Sequence, residues 1–246
     1  MHIETSGLVI KEQAVGESDR LITVLTAEYG LIRAFVRRAK NVKSNLVSST
    51  QLLSYSDFVF YKTKNSYTVD SAHAKNVFFG LREDMDALSI SFYLAELFGE
   101  LAPENAEASE LLSLLLNSLY LMSEKKRDVK LVKAVAELRG LSDAGYMPNL
   151  VACQNCGEYE TDMMYFNPSS GTLMCQNCGD PSCGLLMSLS AITAMRYIVF
   201  SEKQKIFNFS LEKAPMEELS EAVERFTLAQ TGRHFKTLDF YKSLAI

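Results

Sequence analysis

Two Cys-x-x-Cys pairs constrain this chain more tightly than any other feature. Cys153 and Cys156 form the first, Cys175 and Cys178 the second, and eighteen residues separate the inner members. That interval fits the spacing by which two pairs, roughly 15–20 residues apart, present four thiolates to one zinc ion. Gly157 and Gly179 directly follow the pairs, where each knuckle has to turn. Four sulfurs complete a tetrahedral Zn²⁺ and leave no open position for substrate or an activated water. The expected role of the metal is therefore structural, with one ion per chain. Cys183 fits neither knuckle and is expected to be a free thiol.

Thiols persist as metal ligands in a reducing compartment. The opening "MHIETSGLVIKEQ" has no basic region followed by an apolar core, so no secretory signal is visible. The most apolar stretch, residues 111–122, spans twelve residues and is interrupted by Ser and Asn. It falls short of the roughly 20 apolar residues that span a bilayer. A cytoplasmic protein without a membrane partner is the expectation. With 48% hydrophobic and 22% charged residues, the chain has the composition of an ordinary globular protein. The net charge of −5 hides an asymmetry: residues 1–80 carry ten Lys and Arg against seven Asp and Glu, which leaves −8 for the remainder. A slightly basic N-terminal region on an acidic body suggests two jobs in one chain.

The pattern of residues predicts an α+β, multidomain protein. "GLVIKEQ", "RLITVLTA", "GLIRAFVRR", "LLSYSDFVFYK" and "NSYTVDSAH" are short, rich in β-branched and aromatic residues, and bounded by turn formers. Five such segments in residues 1–80 predict a small antiparallel barrel or sandwich. From residue 81 the period becomes helical. "ALSISFYLAELFGELA" suggests a stripe of Leu88, Phe92, Ala95 and Leu101, Pro103 interrupts it, and helices follow in "NAEASELLSLLLNSLYLMS" and "DVKLVKAVAELRGLSDAG". Residues 81–149 are thus the first part of a helical domain, read as a three-helix bundle. Residues 150–185 are a zinc-binding insertion, and residues 186–246 resume the helical domain and pack on the bundle.

The run "RAFVRRAKNVKSN" holds Arg33, Arg37, Arg38, Lys40 and Lys43 with no acid among them. Strand alternation sends Ile32, Ala34 and Val36 to one face and Arg33, Phe35 and Arg37 to the other. Cations around an aromatic ring suit a single-stranded nucleic acid, the cations tracking phosphates and Phe35 stacking a base. The plainer reading is an edge strand guarded by charge. Catalytic constellations are missing. "His2-Ile3-Glu4" and "Ala152-Cys153" only superficially echo a zinc deaminase, which needs Pro-Cys-x-x-Cys and an open metal position. No Gly-x-x-x-x-Gly-Lys-Ser/Thr loop occurs, and His2, His73 and His234 lie far apart in sequence.

Taken in order, these features resemble the RecO family of bacterial recombination mediators. "GESDRLITVLTAEYGLIRAFVRRAKNVKS" is similar to that family's first strands and basic segment, "VAELRGLSDAGYMPNLVACQNCG" to its helix entering the first knuckle, and "YFNPSSGTLMCQNC" to its return to the second. Ser170-Gly171 stands where the family often has paired glycines, and the basic segment has fewer Arg and Pro than is usual there. The resemblance spans nearly the whole chain. It implies an N-terminal OB-fold β-barrel followed by an α-helical domain with an inserted four-cysteine zinc-binding motif. It also implies a nucleoid-associated protein that binds single- and double-stranded DNA and anneals strands. With RecR, such a protein would help load RecA onto strands coated by single-strand-binding protein. No bond chemistry is needed for this work. The alternative is a zinc-ribbon adaptor in transcription or translation, whose acidic body would recognise protein.

Overall fold

The computed structural model of the chain describes residues 1–37, 46–64, 66–159 and 161–244. These form two compact units, one made of residues 1–126 with the stretch from Phe235 onward, the other of residues 127–234. The chain leaves the first unit, builds the second, and returns.

Five strands form the frame of the first unit: β1 (His2–Val15), β2 (Asp19–Thr26), β3 (Gly30–Val36), β4 (Tyr55–Lys62) and β5 (Tyr67–Asn76). They close into a barrel of order β1-β2-β3-β5-β4, the OB-like arrangement expected. Closure depends on a short parallel pairing of β3 with β5, Ala34 beside Tyr67 and Phe35 beside Thr68. A single helical turn, α1 (Leu46–Ser49), precedes β4. The interior is filled by Val9, Ile22, Val24, Ile32, Ala34, Val36, Phe58, Phe60, Val69 and Ala72. Phe58 and Phe60 stack at 5.1 Å. Each large apolar side chain so buried contributes about 1.5–3 kcal/mol relative to exposure.

Helices α2 (Met85–Leu101), α3 (Ser109–Ser123) and α7 (Lys236–Leu244) complete this unit. The carboxylate of Asp84 caps α2 by accepting from the backbone N–H groups of Asp86 and Ala87 at 2.9 and 3.0 Å. The buried face of α2 carries Ala87, Ile90, Tyr93, Leu94, Leu97 and Phe98, whereas Leu88, Phe92 and Leu101 of the expected stripe are only half-buried. Apolar residues surround this helix, so its period alone does not choose a face. Tertiary packing does, with Tyr93 edge-on to Phe235 at 5.5 Å.

The second unit holds α4 (Val129–Asp143), the strands β6 (Asn149–Cys153), β7 (Met163–Asn167), β8 (Thr172–Cys175) and β9 (Leu185–Ser188), then α5 (Leu189–Phe200) and α6 (Lys213–Thr231). The four strands form one sheet of order β6-β8-β7-β9. Helix α4 packs against α5 and α6. The three helices read as one bundle are thus shared out, with α2 and α3 in the first unit and α4 in the second. Between α4 and α6, fully buried Lys133 lies 2.9 Å from Glu137 and 3.0 Å from Glu224. Burial opposes the ammonium, but the two carboxylates raise the Lys133 pKa above its ordinary value. No helix among the described residues is long and apolar enough to cross a membrane.

The turn between β2 and β3 meets the segment that links α2 to α3. Gly30 has φ +61°, and a Cβ there would come within 2.0 Å of the Pro103 carbonyl oxygen. The close approach allows the Leu31 N–H to donate to that oxygen at 3.0 Å, and the Ala108 N–H to donate to the Ala27 carbonyl at 2.7 Å. Gly16 has the same φ of +61° with nothing within 4 Å of a Cβ. Gly16→Ala is expected to cost only the left-handed conformation, about 1 kcal/mol. Gly30→Ala adds a backbone collision and is expected to cost roughly 2–4 kcal/mol. Urea unfolding of the two variants checks the difference; equal losses would show that the contact with Pro103 has no weight.

Candidate metal centre and nucleic-acid interface

Cys153 ends β6 and Cys175 ends β8, neighbouring parallel strands, so the sheet brings the two knuckles side by side. The Gly157 N–H closes the first knuckle on the Cys153 carbonyl at 3.0 Å, and the Gly179 N–H closes the second on the Cys175 carbonyl at 2.9 Å. Gly157 turns at φ +78°, which explains glycine there. Gly179 has no such conformation; a Cβ there would instead press on Tyr165 and Met174 at 3.1 and 3.2 Å.

The four Sγ atoms of Cys153, Cys156, Cys175 and Cys178 lie within 4.8 Å of one another. Cys156 and Cys175 are 3.6 Å apart. A tetrahedral ion with sulfur ligands at about 2.3 Å requires sulfur–sulfur separations of about 3.8 Å, so the cluster has the dimensions to hold one metal ion. Its electrostatics ask for a cation. Burial raises the Cys153 thiol, yet the backbone N–H groups of Cys175, Cys156 and Asn155 outweigh burial and bring it down to about 6. At Cys156 the Glu158 N–H favours the thiolate, but the sulfurs of Cys178, Cys153 and Cys175 together push the pKa up to about 12. Cys153 is thus predisposed to the thiolate and Cys156 is not, and a cation among the sulfurs would favour the thiolate at both. Cys183 is outside the cluster, in a short turn where its sulfur accepts from the Asp180 N–H at 3.4 Å.

Arg196 is a residue that spacing rules do not find. It is buried on α5 and donates from Nε to the Leu150 carbonyl at 2.7 Å and from Nη2 to the carbonyls of Val151 and Tyr159 at 3.2 and 2.9 Å. Its guanidinium also lies 4.2 Å over the Tyr159 ring. Both chain segments flanking the first knuckle are thereby held to the helix. The available signal was a lone cation inside the apolar run "AITAMRYIVF".

On β3 the alternation is as expected: Ile32, Ala34 and Val36 enter the barrel core, while Arg33, Phe35 and Arg37 face out. Phe35 is 37% exposed. Arg33 is paired at 3.1 Å with Glu104, a partner that the sequence did not suggest. Both ends of that pair are more than half exposed, so it is worth at most about 1 kcal/mol and yields to a stronger anion. Arg38, Lys40 and Lys43 lie outside the described residues.

Comparison with known proteins adds an independent line. The family model Recombination protein O N terminal matches residues 1–78, and Recombination protein O C terminal matches residues 82–239. DNA repair protein RecO of Acetivibrio thermocellus is 36% identical over 244 residues, covering 99% of this chain and 97% of that protein. DNA repair protein RecO of Alkaliphilus metalliredigens is 28% identical over 246 residues, covering 99% and 100%. That of Caldicellulosiruptor bescii is 28% identical over 240 residues, covering 98% of each.

A metal held by the four sulfurs should be lost in Cys175→Ser, which should then also unfold at lower temperature, because metal binding and local folding are coupled. Cys183→Ser is expected to keep full metal content. Elemental analysis with thermal melts of the purified variants checks both; metal retained at one per chain by Cys175→Ser would refute the four-cysteine assignment. Arg196→Lys, which loses the forked donor, should lower metal affinity about tenfold in a chelator competition.

Proposed function

Since the chain belongs to the RecO family of DNA repair proteins, we propose that it serves DNA repair and recombination by binding and annealing single-stranded DNA. With RecR, it would help load RecA onto strands coated by single-strand-binding protein. The observation that carries this reading is the outward face of β3, where Arg33 and Phe35 stand on a closed OB-like barrel with exposed Arg37 directly after the strand. Arg38, Lys40 and Lys43 would extend it as phosphate contacts. Duplex DNA would meet the same cations through its backbones. Annealing then needs no bond-making. Cations lower the repulsion between two phosphate backbones, and complementary bases find each other.

The four cysteines would hold one structural Zn²⁺. Sulfur-only coordination at tetrahedral dimensions suits zinc among the common metals, and it leaves no ligand position open for chemistry. The Cys153, Cys156, Cys175 and Cys178 thiolates bind the ion, and Arg196 orients the first knuckle. The acidic remainder of the chain supports a division of labour in which protein partners meet surfaces away from β3.

Titration of single-stranded DNA at several salt concentrations tests the DNA site. Each of Arg33→Ala and Arg37→Ala should weaken binding for any base sequence. Each should also reduce the slope of log affinity against log salt by about 0.7. Phe35→Ala should cost roughly 1–3 kcal/mol with the slope unchanged. Glu104→Gln should strengthen binding by releasing Arg33. A triple Arg33/Arg37/Arg38 to Ala variant that anneals strands normally with an unchanged slope would move the DNA site away from β3.

A further inference from the structure

The strand registers carry one exposed row of side chains around the barrel. Phe35 on β3 is beside Thr68 on β5, Thr68 beside Tyr61 on β4, and Tyr61 beside His2 on β1. Residues in register on neighbouring strands share a face, and here it is the outer face, since Ala34, Phe60, Val69 and Ile3, one step along each strand, are buried. Tyr61 is 47% exposed, and its ring meets the exposed His2 ring edge-on at 5.3 Å. Three strand spacings of about 4.8 Å place the ends of this row about 14 Å apart.

Charge is distributed unevenly along the row. Two residues along the strands on one side are Glu4, Asp70 and Arg37. Toward the other side lie Arg33, two residues before Phe35 on β3, and exposed Lys64, while Lys62, in register with Tyr67, turns its ammonium over that ring at 5.2 Å. A line of aromatic faces with a cationic margin along one edge is the arrangement that takes stacked bases with their phosphates to one side. The other concavity beside β3, a cleft of about 610 Å³, does not compete. Its cations Lys11, Arg33 and Lys236 are balanced by Glu12, Glu96 and Glu100.

We infer that single-stranded DNA continues from Phe35 across β5 and β4 to the start of β1, stacking bases on Tyr61 and His2 with its phosphates along Arg33 and Lys64. This rests on the proposed DNA-binding reading and extends it to residues on three further strands. Sequence alone does not assemble the row, because His2, Phe35, Tyr61 and Thr68 come from four separate strands.

The chain contains no tryptophan, so Tyr61→Trp supplies a single indole at the centre of the row. Its emission is expected to be quenched when an unstructured oligothymidine is added, and to respond weakly to duplex of the same length. Tyr61→Ala in the full chain should weaken oligothymidine binding by about 5- to 150-fold, the loss of one base stack, with the salt slope unchanged. Tyr61→Phe should bind as the parent does. If the parent protein fails to bind oligothymidine, the DNA-binding reading itself fails. If the parent binds with a salt-dependent affinity while the indole is silent and Tyr61→Ala is neutral, this path alone is overturned. Should Tyr61→Ala unfold, the indole response still decides.

Discussion

The pleat of β3 couples the inside of the barrel to its working surface. Ile32, Ala34 and Val36 are locked in a core shared with Phe58, Phe60 and Val69, and a slip of one residue would turn Arg33, Phe35 and Arg37 into that core. The interior thus dictates which side chains face solvent, and it does so on a strand that also closes the barrel against β5. Burial of a few aliphatic groups fixes the direction of cations that contribute little to stability themselves. Closure then has a second effect. Pairing β3 to β5 sets the register that brings Phe35, Tyr61 and His2 into one row.

Much of this was legible in the residues. The alternation in "GLIRAFVRR" named both faces of β3, and the spacing of the four cysteines named the cluster, because each is a local pattern that the backbone carries directly into space. Contacts between distant segments were not legible. Arg33 reads as a free cation until Glu104, from the link after α2, reaches it. Nothing in the sequence singles out Lys133 and Glu137, four residues apart on α4, yet the packing of α6 on α4 buries both and brings Glu224 to the ammonium. The face of α2 could not be chosen from its period, because apolar residues surround the helix and Phe235, more than a hundred residues onward, decides which side is covered. The sheet containing the cysteines was also missed. Its strands run four or five residues each, too short for alternation to stand out.

Fastening of the cysteine sheet to its helices relies on polar contacts as well as packing. Glu218 on α6 accepts from both the N–H and the hydroxyl of Ser188 at the start of α5, at 2.8 and 2.7 Å. Gln230 donates to the carbonyls of Pro168 and Ser169 at 3.2 and 3.0 Å, and Phe166 meets Phe226 at 5.8 Å. Together with Arg196, these link the sheet to two helices. The cysteine segment is therefore a continuous part of the second unit, and a metal bound there would stabilise the helices around it as well as its own loops.

The excursion of the chain has a consequence for the order in which the protein is made. Residues 127–234 leave the ribosome before α7 does, at about 5–20 residues per second. The second unit therefore has all its strands, helices and cysteines in hand while the first still lacks the segment that carries Phe235. Until that segment arrives, Tyr93 lacks its aromatic partner, and Glu96 lacks the Thr237 hydroxyl that donates to it at 2.5 Å. The barrel strands precede the second unit along the chain, but the unit that contains them is finished after it.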